Sequence, residues 1–282
     1  MNEEKDTITS GRYYTLTVKR YTGRFYMLEG KGEQIPLLAS EAPEQMKPGT
    51  EIEVFVFLDG KDGLRATTKK PYACLGEFAA MEVVSTTEFG VFLDWGIKKD
   101  LFVPAQLLRK ELQEGDICVV QVIPDYDGVA VIGTGKFDEF FEEDTSALKE
   151  NQKVECLVFG YNEAGIRVIL DSKYKGLLYR NEVFEELNIG DKCTAYIKKI
   201  REDGLIDASL RRQGFRESTD DARSVILRAL KAAGGYLPLY DKSNPEEIKR
   251  TLKMSKKIFK KTVGGLYREK KISMEEKGIK LL

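Results

Sequence analysis

The side chains best suited to chemistry in this chain are aromatic and basic, and they occur together. Phe89 and Phe92 flank Gly90, with Lys98 and Lys99 shortly after; Lys173, Tyr174, Lys175, Tyr179 and Arg180 interleave charge with rings; Lys256, Lys257, Lys260, Lys261 and Arg268 crowd the C-terminal end. Rings stack on planar bases and cations neutralise phosphates, so this combination suits single-stranded nucleic acid. The groups that catalysis usually needs are scarce. There is no histidine, which removes the commonest general base and the Ser/His/Asp and Cys/His triads. The four cysteines, Cys74, Cys118, Cys156 and Cys193, stand 37 to 44 positions apart, which excludes a CxxC metal pair. No carboxylate cluster has two-metal spacing, so neither a cofactor nor a small-molecule substrate is expected.

The elements that must position these residues follow from charge and repetition. The net charge of −1 hides a polar molecule: residues 211–282 hold 19 Lys and Arg against 9 Asp and Glu, and residues 1–210 hold 26 against 37. A basic end on an acidic body points to an anionic partner met at the C-terminus. Met1 is followed by Asn-Glu-Glu-Lys-Asp, without the basic and apolar regions of a secretory signal. No stretch approaches the roughly 18 apolar residues of a membrane span. A cytoplasmic location without membrane contact is expected.

Three segments share one plan. Glu88-Phe89-Gly90-Val91-Phe92 aligns with Glu163-Ala164-Gly165-Ile166-Arg167 at an offset of 75, and the same offset carries Leu101-Phe102-Val103-Pro104 onto Gly176-Leu177-Leu178-Tyr179 and Gly115-Asp116 onto Gly190-Asp191. A fainter copy precedes them, with Gly23 and Phe25 ahead of Gly90 and Phe92 by 67 and Gly49 ahead of Gly115 by 66. Within each copy the period is 2: Ile52, Val54, Val56 and Leu58 alternate with Glu51, Glu53, Phe55 and Phe57. Short strands separated by Gly and Asp turns predict small antiparallel barrels over residues 1–70, 71–140 and 141–212. Cys118 and Cys193 fall at equivalent strand positions, where a buried small hydrophobe is expected.

The order strand, Phe-Gly-x-Phe, apolar quartet, Gly-Asp, long alternating strand, turn and strand resembles the S-one RNA-binding domain, a five-stranded OB-fold. The resemblance is strongest in copy two and faintest in copy one. It implies that RNA crosses the face of the second and third strands and stacks on Phe89 and Phe92, with Gly90 bending the strand to bring both rings to one surface. In copy three the corresponding positions are Ala164 and Arg167. There Arg167, Lys173, Tyr174, Tyr179 and Arg180 are the implied contacts, Tyr179 standing where many such domains carry histidine.

From Thr219 the period becomes helical, with Ala222, Val225, Ile226, Ala229, Leu230 and Ala233 on one face and Gly234-Gly235 at its end. Ser243-Asn244-Pro245-Glu246-Glu247 predicts a second helix start, and Ser255 a third. In the third, Ile258, Phe259, Val263 and Leu266 face inward, while Lys257, Lys261, Gly264 and Arg268 form an outward stripe that Lys256 and Lys260 broaden. A terminal hairpin completes a winged helix over residues 213–282, whose third helix and wing commonly touch nucleic acid. The whole arrangement, with Lys-Lys-Ile-Phe-Lys-Lys-Thr-Val-Gly-Gly-Leu-Tyr in the third helix, resembles the bacterial conserved virulence factor B family. That resemblance implies RNA binding linked to post-transcriptional control, without catalysis.

The fold expected is therefore mainly β with an α+β C-terminal domain: three tandem five-stranded OB barrels and a winged helix. The expected partner is RNA, single-stranded ahead of duplex, with DNA as a second partner through the winged helix. Two other readings use the same residues: a DNA-binding regulator with barrels as a protein-docking platform, and a nuclease with the repeats as accessories. The lysine-dominated stripe weighs against base-specific readout, which favours Arg, Asn and Gln.

Overall fold

A computed structural model describes residues 7–43, 45–60, 63–183, 186–211 and 219–282. Each repeat folds into five strands. The first comprises β1 (Arg12–Tyr21), β2 (Phe25–Gly30), β3 (Glu33–Leu38), β4 (Glu51–Leu58) and β5 (Leu64–Thr67), closed in the order β1-β2-β3-β5-β4. The second comprises β6 (Phe78–Thr87), β7 (Gly90–Leu93), β8 (Leu101–Pro104), β9 (Ile117–Pro124) and β10 (Val131–Thr134), a nearly closed barrel. The third comprises β11 (Lys153–Tyr161), β12 (Gly165–Leu170), β13 (Tyr174–Tyr179), β14 (Lys192–Ile200) and β15 (Ile206–Ser209), and is closed like the first. The alternating pattern suggests wholly antiparallel barrels. Closure is instead made by parallel pairs, Leu37 beside Ala66 in the first barrel and Gly176 to Leu178 beside Ile206 to Ala208 in the third. Periodicity gives each strand's buried face but says nothing of direction.

The repeated glycine has a packing role. At Gly90, φ is +150° and an added Cβ would lie 2.1 Å from the Val103 carbonyl oxygen; at Gly165 it would lie 2.1 Å from that of Leu178. Only glycine lets these two strands approach so closely. The register shift of the β6–β7 pair lies on the partner strand, between Val83 and Ser85, rather than at Gly90.

Two compact units divide the chain, one reaching Glu142 and adding Leu157–Phe159 and Ile189–Asp191, the other holding the remainder. In the first unit the outward face of β4 explains why that strand is apolar on both sides. Val54 and Val56 fill the first barrel with Leu16, Leu28 and Leu37. Phe55 and Phe57 point the other way, into one core with Met81, Leu93, Trp95 and Leu101 of the second repeat. The Phe55 ring meets Trp95 edge-on at 5.3 Å and Tyr13 at 5.3 Å, and Trp95 donates its indole N–H to the Ala73 carbonyl at 2.8 Å. A backbone bond from Leu75 N–H to the Gly11 carbonyl, 2.8 Å long, adds to this join. The outward face of β4 thus belongs to the core of the second repeat, while the first barrel keeps an interior of its own.

The C-terminal domain has α1 (Thr219–Ala232), α2 (Pro245–Leu252), α3 (Lys256–Arg268) and a three-stranded sheet of β16 (Tyr236–Leu237), β18 (Gly278–Leu281) and β17 (Ile272–Glu275). Asn244 Oδ1 caps α2 by accepting from the Glu246 N–H, and Ser255 Oγ caps α3 by accepting from that of Ile258. Ile226, Leu230, Ile248, Phe259, Val263, Leu266 and Ile279 form the core. Val225, expected on the inner face of α1, is 37% exposed, because that face centres on Ala222, Ile226 and Leu230 with Leu227 and Ala229 partly buried at its margins. The division expected at 212/213 lies outside the described residues.

Candidate nucleic-acid interface

Phe92 projects from β7 opposite Phe102 on β8, the two half-buried rings 5.0 Å apart. Phe102 is a partner that sequence reasoning passed over as one of an apolar quartet, although its parity matches that of Phe92 on the adjacent strand. Phe89 is elsewhere: it occupies the two-residue turn between β6 and β7, 71% exposed, with its N–H bonded to Thr87 Oγ1. The ring contact of Phe92 is with Phe102, so the expected pairing of Phe89 with Phe92 is replaced by a turn-tip ring and a strand-face pair.

Lys98 and Lys99 lie in the β7–β8 connection, and the fold carries them to the first barrel. They line a cavity of about 300 Å³ with Phe25, Phe57, Asp59 and Arg65. Two guanidinium groups, of Arg24 and Arg65, lie 5.3 and 5.6 Å from the centre of the half-buried Phe25 ring. Arg65 is held at 3.0 Å by Asp59. Exposed cation–π contacts are worth about 0.5–1 kcal/mol, so Arg24 covers the Phe25 ring only weakly. The copy that reads as most degenerate therefore has a ring, a fixed guanidinium and borrowed lysines at its mouth.

In the third barrel Tyr179 sits in a charged network. Its hydroxyl accepts from Arg201 at 2.8 Å, Arg201 also binds Asp207 at 2.7 Å, and Lys198 Nζ stands 5.5 Å over the ring while bonding Glu182. The hydrogen bond from Arg201 to Asp207 raises the guanidinium pKa above its usual value. Tyr179, Glu182, Lys198 and Asp207 border a cavity of about 490 Å³ with Glu150, Asn181 and Lys199. Lys198 and Arg201 were missed because a bulge between Ile197 and Lys199 breaks the alternation by which β14 is read. Tyr174 does not join them: at 9% exposure it is a core residue on β13, paired with Leu170. Arg167 is half-buried on β12, and Lys173 and Arg180 are exposed, the latter's carbonyl lying 3.4 Å from Lys249 Nζ.

On α3, Lys257, Lys260, Lys261 and Arg268 are exposed as a stripe. Lys256 is not part of it: half-buried, it donates to the Ser243 carbonyl at 2.8 Å and ties α3 to the loop before α2. Arg268 Nε bonds the Gly264 carbonyl at 3.2 Å. The cysteines are all free thiols. Cys118 and Cys193 are half-buried rather than fully buried, and Cys156 is the buried one, in hydrogen-bond contact with Cys193. Burial pushes the Cys118 thiol up to about 12 and that of Cys74, beside Glu77, up to about 11.

Three comparisons bear on these surfaces. A CvfB-like winged helix domain matches residues 224–281, and an S1 domain matches residues 10–69. The proteins named conserved virulence factor B from Staphylococcus saprophyticus and Staphylococcus haemolyticus are each 27% identical, over 99% of this chain and 96% and 95% of theirs. The chain resembles the conserved virulence factor B proteins along nearly its whole length. Another relative of similar length, the Bacillus subtilis protein named uncharacterized protein YitL, is 29% identical over 97% of this chain and 94% of its own. A solved multidomain protein with nucleic acid binding domains from Streptococcus pneumoniae is 26% identical, covering 97% of this chain and 98% of that one at a TM-score of 0.46. The S1 match falls on the first barrel, the copy with the faintest landmarks, where the composite cavity lies. The chain is thus built from nucleic-acid-binding folds, S1-type barrels and a winged helix. Among the described residues, no helix is long and apolar enough to cross a membrane.

Proposed function

We propose that this protein binds single-stranded RNA in the cytoplasm and acts in post-transcriptional control of gene expression, without catalysing a reaction. The observation that carries this reading is the recurrence of a ring beside cations at the barrel mouths: Phe25 with Arg24 and Arg65, and Tyr179 with Lys198 and Arg201. Cavities of this size admit splayed bases, and the stacking they offer is indifferent to sequence. The exposed lysines of α3 add attraction for phosphate.

Competition between a short single-stranded RNA and duplex DNA for the full chain tests the reading. RNA is expected to win, and a clear preference for the duplex would overturn it. The DNA-binding alternative has one specific support, the exposed stripe of Lys257, Lys260, Lys261 and Arg268 on α3 ahead of a wing. Lysine meets phosphate as a point charge and reads bases poorly, so the stripe serves affinity more than sequence recognition.

A further inference from the structure

We propose that the cavity at the mouth of the first barrel takes one splayed nucleotide of single-stranded RNA, and that the second repeat supplies its phosphate contact through Lys98 and Lys99. This deepens the RNA-binding reading and rests on it. Three features point to a base inside and a phosphate at the rim. The volume, about 300 Å³, suits one nucleotide and excludes a duplex. Phe25, Pro36, Leu38 and Phe57 make up the apolar part of the lining, while Arg65 is fixed by Asp59 at 3.0 Å and presents a planar guanidinium 5.6 Å from the Phe25 ring. The acidic groups here, Glu41 and Asp59, can accept hydrogen bonds from the N–H donors of a base, which a phosphate diester lacks.

The lysines are at the opening because of how the repeats join. They follow directly on Trp95 and Ile97, which lie in the core shared with Phe55 and Phe57, so their backbone is anchored to the first barrel's outer face. Sequence alignment of the repeats assigns them to the second barrel's own site; the fold gives them to its neighbour. The site is complete only when both repeats are folded together.

The test uses the full chain and fluorescein-labelled six-nucleotide RNA homopolymers, with affinity measured across a salt series. Replacing Lys98 and Lys99 by Ala is expected to weaken binding about tenfold at low salt and to reduce the log-log salt slope by about 0.7 to 1.4, for one or two phosphates. Phe25→Leu, which keeps an apolar filler but removes the ring, is expected to lower affinity about 5- to 150-fold at every salt concentration with the slope unchanged. A hexamer bearing 4-thiouridine is expected to cross-link to the peptide containing Phe25. A third variant, with Lys257, Lys260 and Lys261 replaced by Ala, separates the two readings. If it weakens binding while the Lys98/Lys99 and Phe25 variants match the parent, the composite site is wrong and the RNA reading stands. If the parent binds no RNA, both fall.

Discussion

The join between the first two barrels can be broken at one residue. Phe55 is fully buried, its ring packed edge-on against Trp95 and Tyr13, yet it belongs to a strand of the first barrel and to the core of the second. Truncating a buried Phe to Ala removes its transfer energy and leaves a cavity, together about 3–5 kcal/mol. With a urea dependence of about 2 kcal/mol per molar, the unfolding midpoint should fall by about 1.5–2.5 M. The assay is intrinsic fluorescence during urea unfolding, because Trp95 is the sole tryptophan and reports on the second repeat from the point of contact. Leu28→Ala provides the comparison. Leu28 is equally buried, but in the first barrel's own core, and its loss should cost about 2–5 kcal/mol without altering the native Trp95 emission. Phe55→Ala should both shift the native emission and lower the Trp95 transition. If that transition superimposes on the parent's, the outward face of β4 does not couple the repeats and the argument fails.

Four further outcomes follow from the geometry. Gly90→Ala, forced against the Val103 carbonyl, should cost about 1–3 kcal/mol in a thermal melt, whereas Ala at the unobstructed Gly128 should cost less. Replacing Lys257, Lys260 and Lys261 together by Ala should lower the salt slope of RNA binding by up to about 2, at about 0.7 for each phosphate no longer neutralised, and an unchanged slope would remove α3 from the interface. Cys118 and Cys156, with thiol pKa values raised by burial and, for Cys156, first by its bond to Cys193, should resist alkylation in the native state at pH 8 and react on unfolding; rapid native labelling would contradict the packing. Glu269 is held below the usual carboxylate range by its bond to Arg223, so its contribution is present above the unfolded pKa and lost as pH falls through the lower folded one. Glu269→Gln should therefore flatten the acid limb of the winged helix's stability curve, measured by circular dichroism.

Much of the architecture was legible because its signals are local. The offset of 75 between repeats, the period-2 strands, and the caps Asn244 and Ser255 each depend on neighbours in sequence. Direction and neighbourhood are not local. The parallel closure of each closed barrel, the second face of β4 and the placing of Lys98 and Lys99 arise from packing between segments remote in the chain. Interleaving of charge with aromatics marked the third barrel correctly as charged but could not separate Tyr179, at the cavity, from Tyr174, in the core, since burial is decided by strand phase. Phe55 and Phe57 were the available clue to the join: two large apolar side chains on the face of β4 that a lone barrel would turn to water.

The pairing of charges within the sites divides the binding energy in a way that one salt titration can resolve. At the barrel mouths the cations already have carboxylate partners, Arg65 with Asp59 at 3.0 Å and Arg201 with Asp207 at 2.7 Å. A cation neutralised in this way contributes a stacking plane and hydrogen-bond direction but little counterion release. Lys98 at the rim of the first cavity and Lys257, Lys260 and Lys261 on α3 are exposed, and phosphates they neutralise do release counterions. The slope of affinity against salt should therefore report on these lysines, and the affinity that survives at high salt on Phe25, Phe92 and Tyr179. Ring variants should move the intercept alone and lysine variants chiefly the slope. A ring variant that altered the slope would mean that the rings act through phosphate contacts, and the division of labour between rings and exposed lysines would not hold.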